Sequence, residues 1–114
     1  MNTKKFRSEL IKLMPGYKWT LHRKSPFNSD FLTATGIQSS GFNRLSTLEV
    51  TRFVRNEEIR YEVKSSGFGK RAGWLSTYED KTLARALRGL QNHYEYMAQE
   101  YDSHAGSLKM GRRR

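Results

Sequence analysis

The residues that decide the fold read LSTLEVTRFVRNEEIRYEVKS, from Leu45 to Ser65. Apolar and polar side chains alternate in both halves of this stretch, as they do in β-strands with one buried face. The dipeptide Asn56-Glu57 separates the halves and marks a tight turn. Because strands joined by a short turn pair in the antiparallel direction, the stretch predicts a β-hairpin. Arg52 falls among the apolar positions, which predicts a bulge or a strand end there.

Two further strands are predicted upstream of the hairpin. Tyr17 to Lys24 alternates apolar residues with basic and polar ones. Phe31 to Gln38 is a weaker strand because Gly36 interrupts it. Downstream, Trp74-Leu75 is compatible with either a short edge strand or a plug under the preceding loop.

An amphipathic helix is predicted at each end of the chain. The first covers Lys4 to Met14 and ends at Pro15-Gly16. In the second, apolar residues recur at alternating intervals of four and three from Leu83 to Tyr101, and the helix ends near Tyr101 or Asp102. Two alternative capping boxes precede it, Ser76 with Glu79 or Thr77 with Asp80.

This order of elements predicts an α+β domain. Its sheet has four antiparallel strands, and the N- and C-terminal helices pack on one face of it. We expect residues 1–102 to form this single domain and residues 103–114 to form a basic, flexible C-terminal tail.

Composition limits the classes of partner. The 114 residues include 21 Lys and Arg against 11 Asp and Glu, a formal net charge of +10. Such an excess attracts polyanions. The candidate partners are, in order of preference, nucleic acid, an anionic membrane surface and an acidic protein. Cysteine is absent, which excludes disulfides, thiolate–zinc sites and cysteine nucleophiles. With no signal peptide or membrane span apparent, we expect a cytoplasmic protein, in the host cell if it is phage-encoded.

The last helix is charged against its own dipole. Lys81, Arg85 and Arg88 stand in its first half, whereas Glu95, Glu100 and Asp102 stand in its second. The dipole favours anions first and cations last. A helix that presents its positive end to phosphate would be charged in the observed way.

Two similar segments follow predicted strands. Ser39-Ser40-Gly41-Phe42 recurs as Ser65-Ser66-Gly67-Phe68, and the second copy is followed by Lys70 and Arg71. Small residues let backbone amides form anion-binding concavities. We therefore expect the second loop to contact phosphate, with Phe68 and Trp74 as exposed aromatics for base stacking.

One element suggests catalysis. Glu62-Val63-Lys64 resembles the acidic-x-Lys element of restriction-endonuclease-like nucleases, in which a carboxylate holds Mg²⁺. Glu49 on the adjacent strand would supply the second carboxylate, but that family's preceding Pro-Asp pair is missing. The three histidines show no two-His metal spacing. We expect no catalytic residue, metal or cofactor.

Two family resemblances concern the C-terminal part. Gly69 to Ser76, leading into a basic helix, resembles the positive-cofactor/Whirly class of single-stranded-DNA-binding domains, although the N-terminal helix is additional. Lys81-Thr82-Leu83-Ala84-Arg85 is similar to the second helix of double-stranded-RNA-binding domains, but the chain has one strand more and lacks their Gly-Pro-x-His loop. Both resemblances imply contact with phosphate backbones.

The sequence therefore predicts a non-catalytic nucleic-acid-binding protein that uses a basic loop and a helix N-terminus. DNA and RNA, single and double strands, all stay open. The predicted binding residues are Lys70, Arg71, Lys81, Arg85, Arg88, Phe68, Trp74, Arg112, Arg113 and Arg114. Two alternatives remain: a small phage or mobile-element protein that modulates a host enzyme or nucleoprotein complex, and a metal-dependent nuclease. A helix-mediated homodimer also stays open, because Tyr94, Met97 and Tyr101 continue the apolar stripe.

Overall fold

A computed structural model of the chain describes residues 2–22, 31–40, 43–66 and 74–112. Five strands lie between two helices in this part of the chain. The elements are α1 (Thr3–Leu13), β1 (Lys18–His22), β2 (Leu32–Ser40), β3 (Asn43–Arg55), β4 (Glu58–Ser66), β5 (Trp74–Asp80) and α2 (Leu83–Arg112). None of the described helices combines the length and the apolar character needed to cross a bilayer.

The strands form one antiparallel meander in chain order, from β1 to β5. The α+β class, the antiparallel sheet and the two terminal helices are confirmed, but the predicted number of strands is wrong. The additional strand is β5, which pairs with β4 from Tyr61 opposite Asp80 to Ser66 opposite Trp74. Its sequence, WLSTYED, contains two aromatic residues and one threonine, which suit a strand.

Strand β5 also corrects the predicted helix start. Ser76, Thr77, Glu79 and Asp80 are strand residues, so neither predicted capping box forms. Instead, the hydroxyl of Thr82 accepts a hydrogen bond of 3.2 Å from the amide of Arg85. Thr82 is therefore the residue that caps the helix.

Both helices pack on the same face of the sheet. One cluster of buried side chains joins Phe6 and Leu10 of α1 to Leu83 and Leu90 of α2. The sheet contributes every second residue of its strands to this cluster, namely Trp19, Ala34, Leu48, Val50, Tyr61 and Val63. The opposite face of the sheet carries no helix in the described part of the chain, and we call it the open face.

Arg52 lies on the helix-covered face within a continuous strand. It stands opposite Leu32 on one side and Tyr61 on the other, with no bulge at this point. The predicted interruption at Arg52 is therefore wrong, and the register shifts lie instead at Gln38/Ser39 and Ser65/Ser66. Arg52 is only 6% exposed. An arginine can occupy such a position because its aliphatic stem is apolar.

Helix α2 is longer than the sequence predicts. It continues to Arg112 instead of ending near Tyr101 or Asp102, so residues 103–112 are helical where a flexible tail is predicted. Ser103, Gly106, Ser107 and Gly111 suggested a tail, but they lie within the helix, and the Ser107 hydroxyl bonds the Ser103 carbonyl at 3.2 Å. The division into a domain of residues 1–102 and a tail stays a prediction.

The C-terminal part of α2 projects from the rest of the described structure. Every residue from 98 to 112 is exposed. The Cα radius of gyration is 17.4 Å, compared with about 13 Å for a compact domain of this length. The principal extents of 67 × 37 × 25 Å reflect the same projection.

Candidate nucleic-acid interface

The first half of α2 presents cations to solvent. Arg85 and Arg88 are exposed, and neither has an ion-pair partner among the described residues. Lys81, just before the helix, places its Nζ 3.1 Å from Glu58 Oε1, with 62% of its side chain exposed. A solvent-exposed pair of this kind contributes at most about 1 kcal/mol, so a phosphate can compete with Glu58 for Lys81.

The open face of the sheet is different, because glutamates lie beside three of its cations, although Lys18 of β1 is exposed there without an ion pair in the described residues. Arg60 lies 3.0 Å from Glu79, and Arg55 lies 3.4 Å from the same carboxylate. Lys64 lies 3.5 Å from Glu62. The free positive charge of the described structure therefore lies mainly on the helices and not on the open face.

Helix α1 adds cations that the sequence reasoning missed. Lys4, Lys5, Arg7 and Lys12 are all exposed and have no ion-pair partner in the described residues. Glu9 is the single acidic residue of this helix. Four cations in eleven residues were the signal that could have identified this surface.

An apolar groove of about 760 Å³ lies between the two helices. Its α1 side is formed by Leu13 and Met14, and its α2 side includes Leu87 and Arg88. Leu75 of β5, which is 69% exposed, lies at its margin. The floor carries hydroxyl pairs, with Tyr17 bonded to Ser46 at 2.9 Å and Tyr94 bonded to Ser65.

The predicted binding residues do not all come together. The loop that contains Phe68, Lys70 and Arg71 lies outside the described residues. It joins the sheet at Ser66 and Trp74, and of Trp74 only the backbone is described. Lys81 follows the other end of β5, about 20 Å of strand away. The loop's attachment points and the start of α2 are thus at opposite ends of the sheet.

The C-terminal arginines are also remote from the start of α2. Arg112 is exposed at the far end of the helix, about 40 Å of helix from Arg85. Arg113 and Arg114 lie outside the described residues. Arg85 and Arg88 are thus brought together, with Lys81 one turn before them, whereas Arg112 stands apart.

The two Ser-Gly segments leave the sheet at the same end. In a meander the β2–β3 and β4–β5 connections lie on one side, and their strand ends are Ser40 with Asn43 and Ser66 with Trp74. Gly41, Phe42, Gly67 and Phe68 are outside the described residues. The anion-binding role predicted for these loops stays a prediction.

The charged residues of the predicted nuclease element, Glu49, Glu62 and Lys64, lie on the open face, whereas Val63 is buried in the core. Glu62 forms an ion pair with Lys64, and both residues are on β4. Glu49 of β3 lies opposite Lys64 in the register of the two strands. Among residues 2–22, 31–40, 43–66 and 74–112, no group of three or more His, Asp or Glu side chains could hold a metal ion.

The chain matches no protein-family model, and the comparisons with curated proteins and with solved structures also give no match. The resemblances to Whirly-type and double-stranded-RNA-binding domains therefore stay predictions.

Proposed function

We propose that this protein binds nucleic acid without catalysis, holding the phosphate backbone on the helical side of the sheet. The observation that carries the proposal is the uneven distribution of ion pairs. Arg55, Arg60 and Lys64 of the open face each have a glutamate within 4 Å, whereas Arg85 and Arg88 of α2 have none in the described structure.

Surface cations without a carboxylate partner contribute to the affinity for phosphate. When a cation replaces a counterion on a phosphate, the counterion is released, and this supplies most of the affinity in sequence-independent binding. Cations already held by glutamates contribute less because the carboxylate must first be displaced. Arg85 lies in the first turn of α2, where the helix dipole also favours an anion.

The same chemistry extends the surface to α1. Lys4, Lys5, Arg7 and Lys12 share the property of Arg85 and Arg88, since they are exposed and unpaired among the described residues. We include them with the residues predicted from the sequence. The loop residues Lys70 and Arg71 and the terminal Arg112, Arg113 and Arg114 complete the proposed phosphate contacts.

The proposal is tested by gel shifts on single- and double-stranded DNA and RNA over a series of salt concentrations. Wild-type affinity should fall steeply with salt. The double variant Arg85→Ala/Arg88→Ala should weaken binding and reduce the slope of log affinity against log salt by about 0.7 to 0.9 for each lost contact.

A matched control variant distinguishes the effect on affinity of where the cations lie from the effect of the net charge. Arg55→Ala/Arg60→Ala removes the same two charges from the open face, where both arginines are paired with Glu79. We expect this control to bind more tightly than Arg85→Ala/Arg88→Ala. Equal losses of affinity in the two double variants, or a wild-type affinity that hardly changes with salt, would contradict the proposal.

The second candidate is an interaction module that docks on a host enzyme or nucleoprotein complex. The apolar groove between the helices favours it, because grooves lined by apolar side chains mark protein- or ligand-binding sites, and Leu75 lies exposed at its margin. A partner that stays bound after nuclease treatment, is lost with Leu75→Asp and is kept with Arg85→Ala/Arg88→Ala would favour this candidate over nucleic-acid binding.

A further inference from the structure

The apolar stripe of α2 continues beyond the sheet. Leu83 and Leu90 are buried in the core, and the same four-and-three spacing carries on through Met97, Tyr101 and Leu108. Tyr101 is 66% exposed and Leu108 is 71% exposed. The face of the helix that packs on the sheet in its first half therefore faces solvent in its second half.

The projecting half of α2 is a weak helix by composition. Gly106 and Gly111 each cost about 1 kcal/mol relative to alanine in a helix interior. Isolated helices shorter than about 12 to 15 residues are marginal in water, because most helical stability comes from packing. Residues 98–112 continue a helix that is packed in its first half, but they have no packing partner in the described chain. Their helical state would gain stability from burial if another molecule covered the stripe.

The charges of the projecting half identify that molecule. Its first part is acidic, with Glu100 and Asp102 and with Glu95 just before it, and its last part is basic, with Lys109 and Arg112. Two such segments side by side in parallel would bring like charges together. In antiparallel pairing, the acidic part of each lies against the basic part of the other.

We propose that two copies of this chain pair through the projecting halves of α2, antiparallel, with the two-fold axis between Asp102 and Ser103. In this register Met97 of one copy lies opposite Leu108 of the other. Tyr101 lies opposite His104 of the second copy, and Lys109 comes within one residue of its Glu95. The exposed part of the stripe is then covered. Glu95 with Lys109 is the pair of opposite charges that this register brings near each other, while the two copies of Asp102 lie on either side of the axis.

The length of the overlap is sufficient for a specific but reversible contact. Because Tyr94 packs on the chain's own core, the overlap covers Met97 to Leu108 in each copy, about 18 Å of helix and just under two heptads. Because a two-fold axis repeats each contact, every pair named above occurs twice. Apart from Arg112, this pairing uses none of the proposed phosphate-binding residues, and it is measured with nucleic acid removed.

The first test is the mass of the nuclease-treated full chain by sedimentation velocity over a concentration series. The expected result is a dimer of twice the 13.3 kDa chain mass. Leu108→Glu should raise the dimer dissociation constant about tenfold or more, because it places a charge in an apolar contact. Met110→Glu is the matched control, since Met110 is 76% exposed on the other side of the helix and should leave the dimer unchanged.

The charge argument has its own test. Glu95→Lys and Lys109→Glu should each weaken the dimer, and the two together should restore it, because the exchange keeps the opposite charges facing each other. Equal dissociation constants for Leu108→Glu and Met110→Glu, or a monomeric wild type at every concentration, would overturn the proposal.

The direction of pairing can be measured by disulfide formation, since the chain has no cysteine of its own. A disulfide requires Cα atoms about 4.4 to 6.8 Å apart. A mixture of Met97→Cys and Leu108→Cys chains should form the mixed disulfide, whereas Met97→Cys alone should not cross-link. Cross-linking of Met97→Cys with itself would indicate parallel pairing and overturn the antiparallel register.

Discussion

Gly36 of β2 lies directly opposite Trp19 of β1, and the indole ring covers the position that a Cβ of Gly36 would occupy. An added Cβ would lie 2.7 Å from the nearest ring carbon. Trp19 is only 8% exposed, and its Nε1 donates a hydrogen bond of 3.2 Å to the carbonyl of Met14. A glycine lowers the strand propensity of β2, but at this position the absence of a side chain makes room for the indole ring of Trp19.

We predict that Gly36→Val destabilises the protein by about 1 to 3 kcal/mol, as overpacking of a well-filled core does. The valine favours a strand but displaces the indole ring and its bond to Met14. Urea denaturation followed by tryptophan fluorescence measures the change. Gly16→Ala is the control, since an added Cβ there meets only the end of the Gln38 side chain at 3.9 Å. A Gly36→Val variant as stable as the wild type would contradict this account of the packing.

A second glycine allows helix propensity and packing to be separated. Gly89 of α2 lies against Tyr78 of β5, and an added Cβ would overlap its ring. Although alanine is favoured over glycine in a helix by about 1 kcal/mol, we predict that Gly89→Ala lowers the free energy of unfolding. Gly106→Ala has open space around it and should raise the free energy of unfolding.

The cause of the Gly89 effect can be isolated with a second substitution. In a Tyr78→Ala background the overlap is gone, so Gly89→Ala should become neutral or stabilising. If Gly89→Ala still destabilises the protein in that background, its effect does not come from contact between α2 and the ring of Tyr78. Chemical denaturation of the four variants completes the double-mutant cycle.

Arg52 supplies a third prediction about stability. It is buried, and its Nε has no hydrogen-bond partner among the described atoms. An unsatisfied buried donor costs about 1 to 3 kcal/mol, so an apolar side chain of similar length should be tolerated or favoured. We expect Arg52→Met to be at least as stable as the wild type and Arg52→Ala to be less stable, because alanine leaves a cavity. Denaturation midpoints test this order, and a large loss in Arg52→Met would indicate that the guanidinium has an essential partner.

The sequence predicts the parts of this fold that depend on local patterns. The hairpin around Asn56 and the core stripe from Leu83 follow from alternation and from helical spacing. The error at β5 arises because capping residues and strand residues overlap in Ser76 to Asp80, and pairing with β4 decides between them. The extension of α2 was missed because Gly106 and Gly111 are typical of loops.

The candidate site was predictable only in part, for a related reason. Charge counts identify cations, but only the sheet register brings Glu79 to Arg60, while Arg85 has no carboxylate partner among the described residues. The separation of Trp74 from Lys81 by the length of β5 also depends on that strand's existence. Ion pairs across strands join residues far apart in sequence, which residue spacing does not reveal.

The pair between Lys81 and Glu58 gives the sharpest prediction about binding. Glu58→Ala frees Lys81 at the start of α2 and removes a longer contact of 3.9 Å with Arg60, which keeps Glu79 at 3.0 Å. It should change stability by less than about 1 kcal/mol because the pair with Lys81 is exposed. It should also tighten nucleic-acid binding, since Lys81 no longer has to leave a carboxylate to reach a phosphate.

The control for this prediction is Glu62→Ala, which makes the same change in net charge but frees Lys64 on the open face. Fluorescence anisotropy at two salt concentrations compares the two variants with the wild type. If binding depends on overall charge alone, the affinity for nucleic acid rises equally in both variants. If binding occurs on the helical side of the sheet, the affinity rises more in Glu58→Ala, and the difference from Glu62→Ala shrinks as salt screens the added charge.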